Sequence, residues 1–404
     1  MNVYVRELSR ELGRRGLLID VFTRWTDRDV PQVVQFGDGA RVIHVPAGRI
    51  SSLPKALLWP HLPEFVYHIE RYVATHGLRY DLIHSHYWLS GWAGLLLSTR
   101  WRRPHTAMFH TLAELKRRAR PEERESAKRS QVEREVIACA DAVIAASPHE
   151  RAHMISLYEA APSRVRVIPC GVNLDLFRPG DQRTARTRLG LGDEPVILYV
   201  GRIEPLKGID LLVRTLPLLP EAIRGRTVLL VVGGEPGSTP SRNGHGGERE
   251  RLARLAADLG VAQQVRFTGA VRQEELPWYY RAADVAALPS YYESFGLAAI
   301  EALACGTPVV ASKVGGLTTT VVDGSNGFLV PWRSPRAFAE PIGALLTDPA
   351  LRRRLAARAR PSVETFGWRS VADGVLGVYR QLATLAIPQA CVCREIAPAI
   401  IGAR

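Results

Sequence analysis

The chain has 404 residues, of which 46% are hydrophobic and 23% charged, and its formal net charge is +13. Length and composition of this kind support large buried cores in two or more domains and exclude a disordered chain or a disulfide-stapled miniature. The positive charge is spread along the sequence, with 26 basic against 19 acidic residues in positions 1–180, so it does not form a nucleic-acid-binding arm.

The opening stretch "MNVYVRELSRELGRRG" puts Val3, Leu8 and Leu12 at helical spacing, with Arg6, Arg10, Arg14 and Arg15 on the other side and Gly16 as the stop. "LLIDVFTR" then reads as a strand. An alternating strand and helix protein ordinarily opens on a strand, so the expectation is a first domain whose first strand and glycine turn are missing. "DRD" at Asp27–Asp29 does not follow a buried strand and reads as a solvated loop rather than a metal-binding pair.

Strand-like runs continue with "RVIHVPA", "DLIHSHY", "HTAMFH", "AVIAAS" and "VRVIP", and a second series comprises "PVILYVG", "TVLLVVGG", "QVRFTGA", "DVAALPS", "TPVVAS" and "GFLVP". Runs of Val, Ile and Leu without strict alternation suit strands buried on both faces of a parallel sheet. The fold class is therefore α/β, with two doubly wound Rossmann-like domains. Periodicity lapses in "PCGVNLDLFRPGDQRTARTRLGLGDEP", which places the boundary near residue 180: an N-terminal domain 1–180 and a second domain 181–366. The basic stretch "ELKRRARPEERESAKRSQVERE" (114–135) reads as a solvated helix face with i,i+4 pairs, one or two of whose cations could serve an anionic partner such as a phosphorylated substrate or a lipid headgroup. Residues 387–404 show no usable period, and Cys391 and Cys393 lack further ligands nearby, so no metal is expected there. Five scattered cysteines and the absence of an apolar run of about 18 residues fit a cytoplasmic protein without membrane insertion, peripheral association staying open.

In open parallel sheets ligands sit beyond the carboxyl ends of the strands. After "ILYVG", Gly201 makes a tight turn and Arg202 and Lys207 precede a helix, which fits a diphosphate site or two surface charges. In "ALPSYYESFGLAAIEALACG", a loop carries Glu293, a helix begins near Phe295–Gly296, and Glu301 is the single charge of an otherwise apolar helix. A carboxylate in such surroundings needs hydrogen-bond donors, which the hydroxyls of a ribose or a fixed structural partner such as Arg can supply. Gly315 and Gly316 follow a strand, compatible with close approach to a ligand or with a simple turn. In the first half, His84 and His86 read as structural histidines, whereas His110, last of its run, faces the cleft between domains. There is no G-x-S-x-G, P-loop or H-E-x-x-H motif.

At "ESFGLAAIE", with Glu293 and Glu301 separated by seven residues, the sequence resembles family 4 retaining glycosyltransferases of GT-B fold. The resemblance runs from "MNVYVRELSRELGRRG" through "HSHYWLSG", "VIPCGVNLDLFRPG", "VGRIEPLKG" and "PSYYESFGLAAIEALACGTPVVASKVGGL" to "FGWRSVADGVLGVYRQL". Within that family it is similar to the group of sucrose-phosphate synthase and D-inositol-3-phosphate glycosyltransferase. The resemblance implies two domains facing each other across a cleft, with the last helix, 367–386, crossing back to the first domain and closure by a hinge. It also implies that Gly201, Arg202 and Lys207 serve the donor diphosphate and Glu301 the nucleotide ribose. Glu293 and Ser294, with the amides of Phe295, Gly296 and Leu297, would hold the transferred sugar, and His110 would lie beside the sugar and the leaving group. Lys55, Tyr87, Thr111 and Arg134 match positions that grip a phosphorylated acceptor in the inositol-phosphate enzymes. Many family members have Glu where this chain has Thr319, but the group named here lacks it too.

The expected function is metal-independent and cofactor-free transfer, with retention, of a hexose from a nucleotide-diphosphate sugar, UDP-linked by expectation, to a small sugar, polyol or sugar-phosphate acceptor. The alternatives are a nucleotide-sugar 2-epimerase and a non-catalytic nucleotide-sugar-binding protein.

Overall fold

A computed structural model describes residues 1–119, 121, 126–234 and 247–384; the tail from 387 onward, with Cys391 and Cys393, lies outside them. The chain divides into two compact units, one formed by Met1–Cys170 with the segment from Trp368 onward, the other by Gly171–Gly367. The division between the compact units falls at Cys170. The reason is that the following loop is tied into the second unit: Arg360 donates from Nη1 to the Phe177 carbonyl and from Nη2 to the Leu174 carbonyl at 3.1 Å.

In the first unit the helix Asn2–Gly13 buries Tyr4, Leu8 and Leu12, as its 3.6-residue period dictates. Its exit is anchored by Arg15, which donates to Asp373 Oδ1 at 2.9 Å and to the Arg369 carbonyl, both on the helix Trp368–Ala383. The strands are β1 (Ile19–Arg24), β2 (Val33–Gly37), β3 (Ala40–Val45), β4 (Ile83–His86), β5 (His105–Met108), β6 (Ala142–Ala145) and β7 (Val165–Val167). They form two sheets, β1-β3-β2 and β4-β5-β6-β7, and among the described residues β1 pairs only with β3 and β4 only with β5. The second sheet is parallel throughout. Strand β2, absent from the sequence reading, runs antiparallel to β3 as a partly exposed edge whose short alternating run lacks the apolar density of its neighbours.

The second unit holds β8 (Val196–Val200), β9 (Val228–Val232), β10 (Val265–Gly269), β11 (Val285–Leu288), β12 (Val309–Ser312) and β13 (Gly327–Val330). All six expected runs become strands of one parallel sheet in the order β10-β9-β8-β11-β12-β13. β8, β9, β11 and β12 are almost wholly buried, because helices cover both faces. The strand order reverses between β8 and β11. That reversal is the topological switch point, the place beyond the strand ends where open parallel sheets carry their ligands.

Candidate active site

The switch point decides which side chains of the second unit meet. The loop after β8 carries Gly201, Arg202 and Lys207, and the loop after β11 carries Glu293 to Gly296. The two loops are joined by a backbone bond from Tyr291 N–H to the Leu206 carbonyl at 2.9 Å. Gly208 allows this closeness: its φ is +63°, and a Cβ there would fall 2.3 Å from the Pro289 carbonyl oxygen. As a result Lys207 Nζ donates to Glu293 Oε2 at 2.6 Å, with both side chains largely enclosed. Arg202 turns outward, with Nη2 2.9 Å from Glu204 Oε1 and more than half of its side chain exposed.

The helix Leu297–Ala304 begins at Gly296, whose φ of +95° makes the turn into it. Ser294, Phe295, Gly296 and Leu297 thus form the corner between Glu293 and that helix, and Phe295 is anchored edge-on against Phe366. At Gly315 and Gly316 the side-chain direction is taken up by neighbouring backbone. A Cβ on Gly315 would lie 1.9 Å from the Glu293 carbonyl oxygen, and one on Gly316 would lie 2.3 Å from Phe295 Cα. The glycine pair lets its turn press against the backbone of Glu293–Phe295, with Gly316 N–H donating to the Glu293 carbonyl at 2.9 Å.

Glu301 is half-buried on the same helix, and Tyr280 Oη donates to its Oε2 at 2.8 Å. The fixed partner is therefore a tyrosine, not an arginine. Burial pushes the Glu301 carboxyl up to about 7, against the opposing pull of the Tyr280 hydrogen bond. Oε1 is left for further donors, such as a vicinal diol.

In the first unit, residues just past β4 and β5 converge. Tyr87 has φ +81° and ψ 157°, and His110 has φ +62°, backbone conformations that non-glycine residues rarely adopt and that concentrate at functional sites. Tyr87 N–H continues the ladder to the Met108 carbonyl at 2.8 Å, which holds the strained corner in place. His86 Nδ1 and His110 Nε2 are 3.1 Å apart, one of them carrying the proton. His84 Nδ1 lies 2.6 Å from Tyr379 Oη. Burial holds all three imidazoles far below their ordinary range, His84 and His110 at about 3, so they are neutral at pH 7. Tyr4 packs edge-on against His86, His110 and Trp368, so the first and last helices both line this cluster.

Lys55, Tyr87 and Thr111 come together around an arginine the sequence reading passed over. Lys55 Nζ lies 5.7 Å from the Tyr87 ring centroid, and Arg129 Cζ lies 5.1 Å from the same ring. Arg129 Nη2 donates to the Thr111 carbonyl at 2.9 Å and to Thr111 Oγ1 at 3.0 Å. Arg134 is not in this group. Its Nη1 donates to the Leu157 carbonyl at 2.6 Å and its guanidinium lies over the Tyr158 ring. Both arginines sit on the helix Ala127–Cys139, but five residues rotate a side chain by about 140° around an α-helix, which sends them to different neighbours. The signal that finds Arg129 is its place at i, i+3, i+4 and i+7 with Val132, Glu133 and Val136, all buried, so this stretch is not the wholly solvated face its composition suggests.

Among the described residues no group of three or more His, Cys, Asp or Glu side chains could hold a metal ion, and no helix is long and apolar enough to cross a membrane.

Residues 181–361 match the family described as Glycosyl transferases group 1, and residues 1–176 match Glycosyltransferase Family 4. The D-inositol 3-phosphate glycosyltransferase of Acidothermus cellulolyticus is 45% identical over 388 residues, spanning 94% of this chain and 85% of that protein. The protein of the same name from Frankia alni is 44% identical over 390 residues, spanning 94% of each. The sucrose-phosphate synthase of Thermosynechococcus elongatus has a solved structure that superposes with a TM-score of 0.86 at 39% identity, covering 94% of this chain and 93% of that one. Two family models that together span most of the chain, and relatives at 44–45% identity over 94% of it, show that the chain belongs to the family 4 glycosyltransferases of GT-B fold.

Proposed function

We propose that the protein transfers a hexose, with retention of anomeric configuration and without a metal, from a UDP-linked sugar to a small phosphorylated polyol, D-inositol 3-phosphate. The observation that carries the donor half is the meeting of Lys207 and Glu293 at the switch point, beside the open end of the helix Leu297–Ala304. Lys207 and Arg202 place two cations where a diphosphate leaving group builds up charge, and helix amides add to them. Glu301, with one oxygen on Tyr280, accepts from the ribose diol. Glu293 accepts from hydroxyls of the hexose.

For the acceptor, Lys55, Arg129, Tyr87 and Thr111 gather two cations and two hydroxyls, a donor set suited to a phosphate monoester. This set and the name carried by the 45%-identical relative support the inositol phosphate over a neutral sugar. In the reaction the bond from the anomeric carbon to the diphosphate oxygen breaks, and the acceptor oxygen bonds to that carbon on the same face. The acceptor proton passes to the departing phosphate oxygen.

The test is a product assay with labelled UDP-glucose or UDP-N-acetylglucosamine, each with inositol 3-phosphate, with fructose 6-phosphate, or alone, and the anomer read by NMR. An α-linked inositol phosphate glycoside is the expected product. Product with fructose 6-phosphate only would reassign the acceptor, and a C2 epimer formed from donor alone would reassign the reaction.

A further inference from the structure

Arg129 stands on a carboxylate that no solvent reaches. Its side chain is 4% exposed and that of Glu133, one helical turn on, is 0% exposed. Glu133 Oε1 accepts from Arg129 Nε at 2.7 Å. Glu133 Oε2 accepts from Ala113 N–H at 2.9 Å and from Tyr158 Oη at 2.6 Å. Tyr158 Oη in turn accepts from Glu114 N–H at 3.0 Å. One carboxylate and one phenol therefore clamp three pieces of structure: the guanidinium on the helix Ala127–Cys139, the backbone of the loop that leaves β5 with Thr111, and the end of the helix Pro148–Tyr158.

A buried carboxylate is costly unless fully hydrogen-bonded, and of the three donors to this one, Arg129 reaches Thr111 and the Tyr87 ring while Ala113 lies two residues beyond Thr111 on the same loop. The geometry fixes direction as well as place. With Nε tied to Glu133 and Nη2 to Thr111, the planar guanidinium is held in one orientation, beside Thr111 and against the Tyr87 ring. The Ala113 amide bond holds Thr111 on the same frame, so the two partners of the proposed phosphate move together or not at all.

We propose that Glu133 and Tyr158 are positioning residues that orient Arg129 and Thr111 for the phosphate of the acceptor, and so set the preference for a phosphorylated acceptor without touching it. This rests on the phosphorylated-acceptor reading given above.

The test uses the full chain and compares Tyr158→Phe, Glu133→Gln and Arg129→Ala for acceptor KM and kcat with inositol 3-phosphate, and for UDP affinity by calorimetry. Tyr158→Phe and Glu133→Gln are expected to raise acceptor KM about tenfold, the size of one hydrogen bond to a charged group, with kcat at saturation and UDP affinity within about twofold of wild type. A general loss of folding would instead lower active-site content and UDP binding together. Should Glu133→Gln fail to fold, Tyr158→Phe, which removes a single oxygen, carries the test. A raised KM in Arg129→Ala with an unchanged KM in folded Tyr158→Phe overturns the positioning role alone. An unchanged KM in Arg129→Ala overturns the phosphate reading and this inference with it.

Discussion

Lys207 Nζ and Glu293 Oε2 are 2.6 Å apart, so the cation proposed for the diphosphate and the carboxylate proposed for the sugar form one ion pair. The pair arises from the adjacency of β8 and β11, whose loops bring the two side chains together from 86 positions apart in the chain. On the proposed function, a donor that inserts between them would give each a new partner, an exchange that substitution of either residue tests.

Lys207→Ala is expected to weaken UDP binding by about 1.5–3 kcal/mol, roughly ten- to a hundredfold, because a charged hydrogen bond to the outer phosphate is lost. UMP, which lacks that phosphate, should lose far less. Calorimetry with both nucleotides checks this, and equal losses would remove Lys207 from the diphosphate site.

Glu293→Gln separates the two roles. Without the carboxylate, Lys207 is released toward the diphosphate, so UDP affinity should stay equal or rise. Transfer, which needs the carboxylate on the sugar hydroxyls, should fall about ten- to a hundredfold. The measurement is UDP affinity alongside steady-state transfer, and parallel losses in both would refute the assignment.

Glu301, in the ribose role proposed for it, is expected to give nucleotide binding a pH dependence. Its carboxyl is held up at about 7, so it is ionised above that pH and protonated below it. On the proposed function the ionised form would accept from the ribose hydroxyls, and uridine nucleotide affinity should therefore fall by up to about tenfold between pH 8 and pH 6. Glu301→Gln should bind weakly at all pH values and lose this component of the slope, which a comparison of the two proteins isolates from the titration of the phosphate itself.

Glu150 sets a pH dependence for stability. It is buried, accepts from Ala146 N–H at 2.6 Å through Oε2, and has no hydrogen-bond partner at Oε1 among the described residues. Burial raises its carboxyl from 4.5 to about 7. The folded state therefore holds the proton more tightly than the unfolded chain. The favourable contribution is complete below pH 4.5 and is lost as pH rises through 7, a change on the order of 3 kcal/mol. Tm in Glu150→Gln should lack this decline, which thermal melts across pH 5 to 8 would detect.

Two glycines give opposite expectations. Gly316→Ala puts a methyl group 2.3 Å from Phe295 Cα, which must displace the Glu293 corner and lower both stability and transfer. Gly377, inside the helix Trp368–Ala383, has nothing within 4 Å of its Cβ position. Gly377→Ala should therefore stabilise by about 0.5–1 kcal/mol through helix propensity. Thermal melts of both variants decide between these signs.

Much of this molecule was legible in one dimension. The helical spacing of Val3, Leu8 and Leu12 marked the first helix, with Tyr4 rather than Val3 proving to be the buried residue of its first turn, and unbroken runs such as "PVILYVG" and "TVLLVVGG" marked strands covered on both faces. The short segments after β8 and β11 stood out for the same reason, as polar residues at the ends of apolar runs. Strand β2 left no such mark, since an edge strand needs only half its residues apolar. What only the tertiary structure decided were the questions of direction. Arg129 and Arg134 are equivalent in composition and differ by an angle around a helix; that angle aims one at Tyr87 and Thr111 and the other at Leu157. Gly315 and Gly316 announced a close approach but not its object, which is the backbone of Glu293–Phe295. Glu301 announced a need for a donor, and the fold supplied Tyr280. Sequence records what each residue can do along its own element, whereas a partner across elements is set by strand order and helix rotation, which no local pattern encodes.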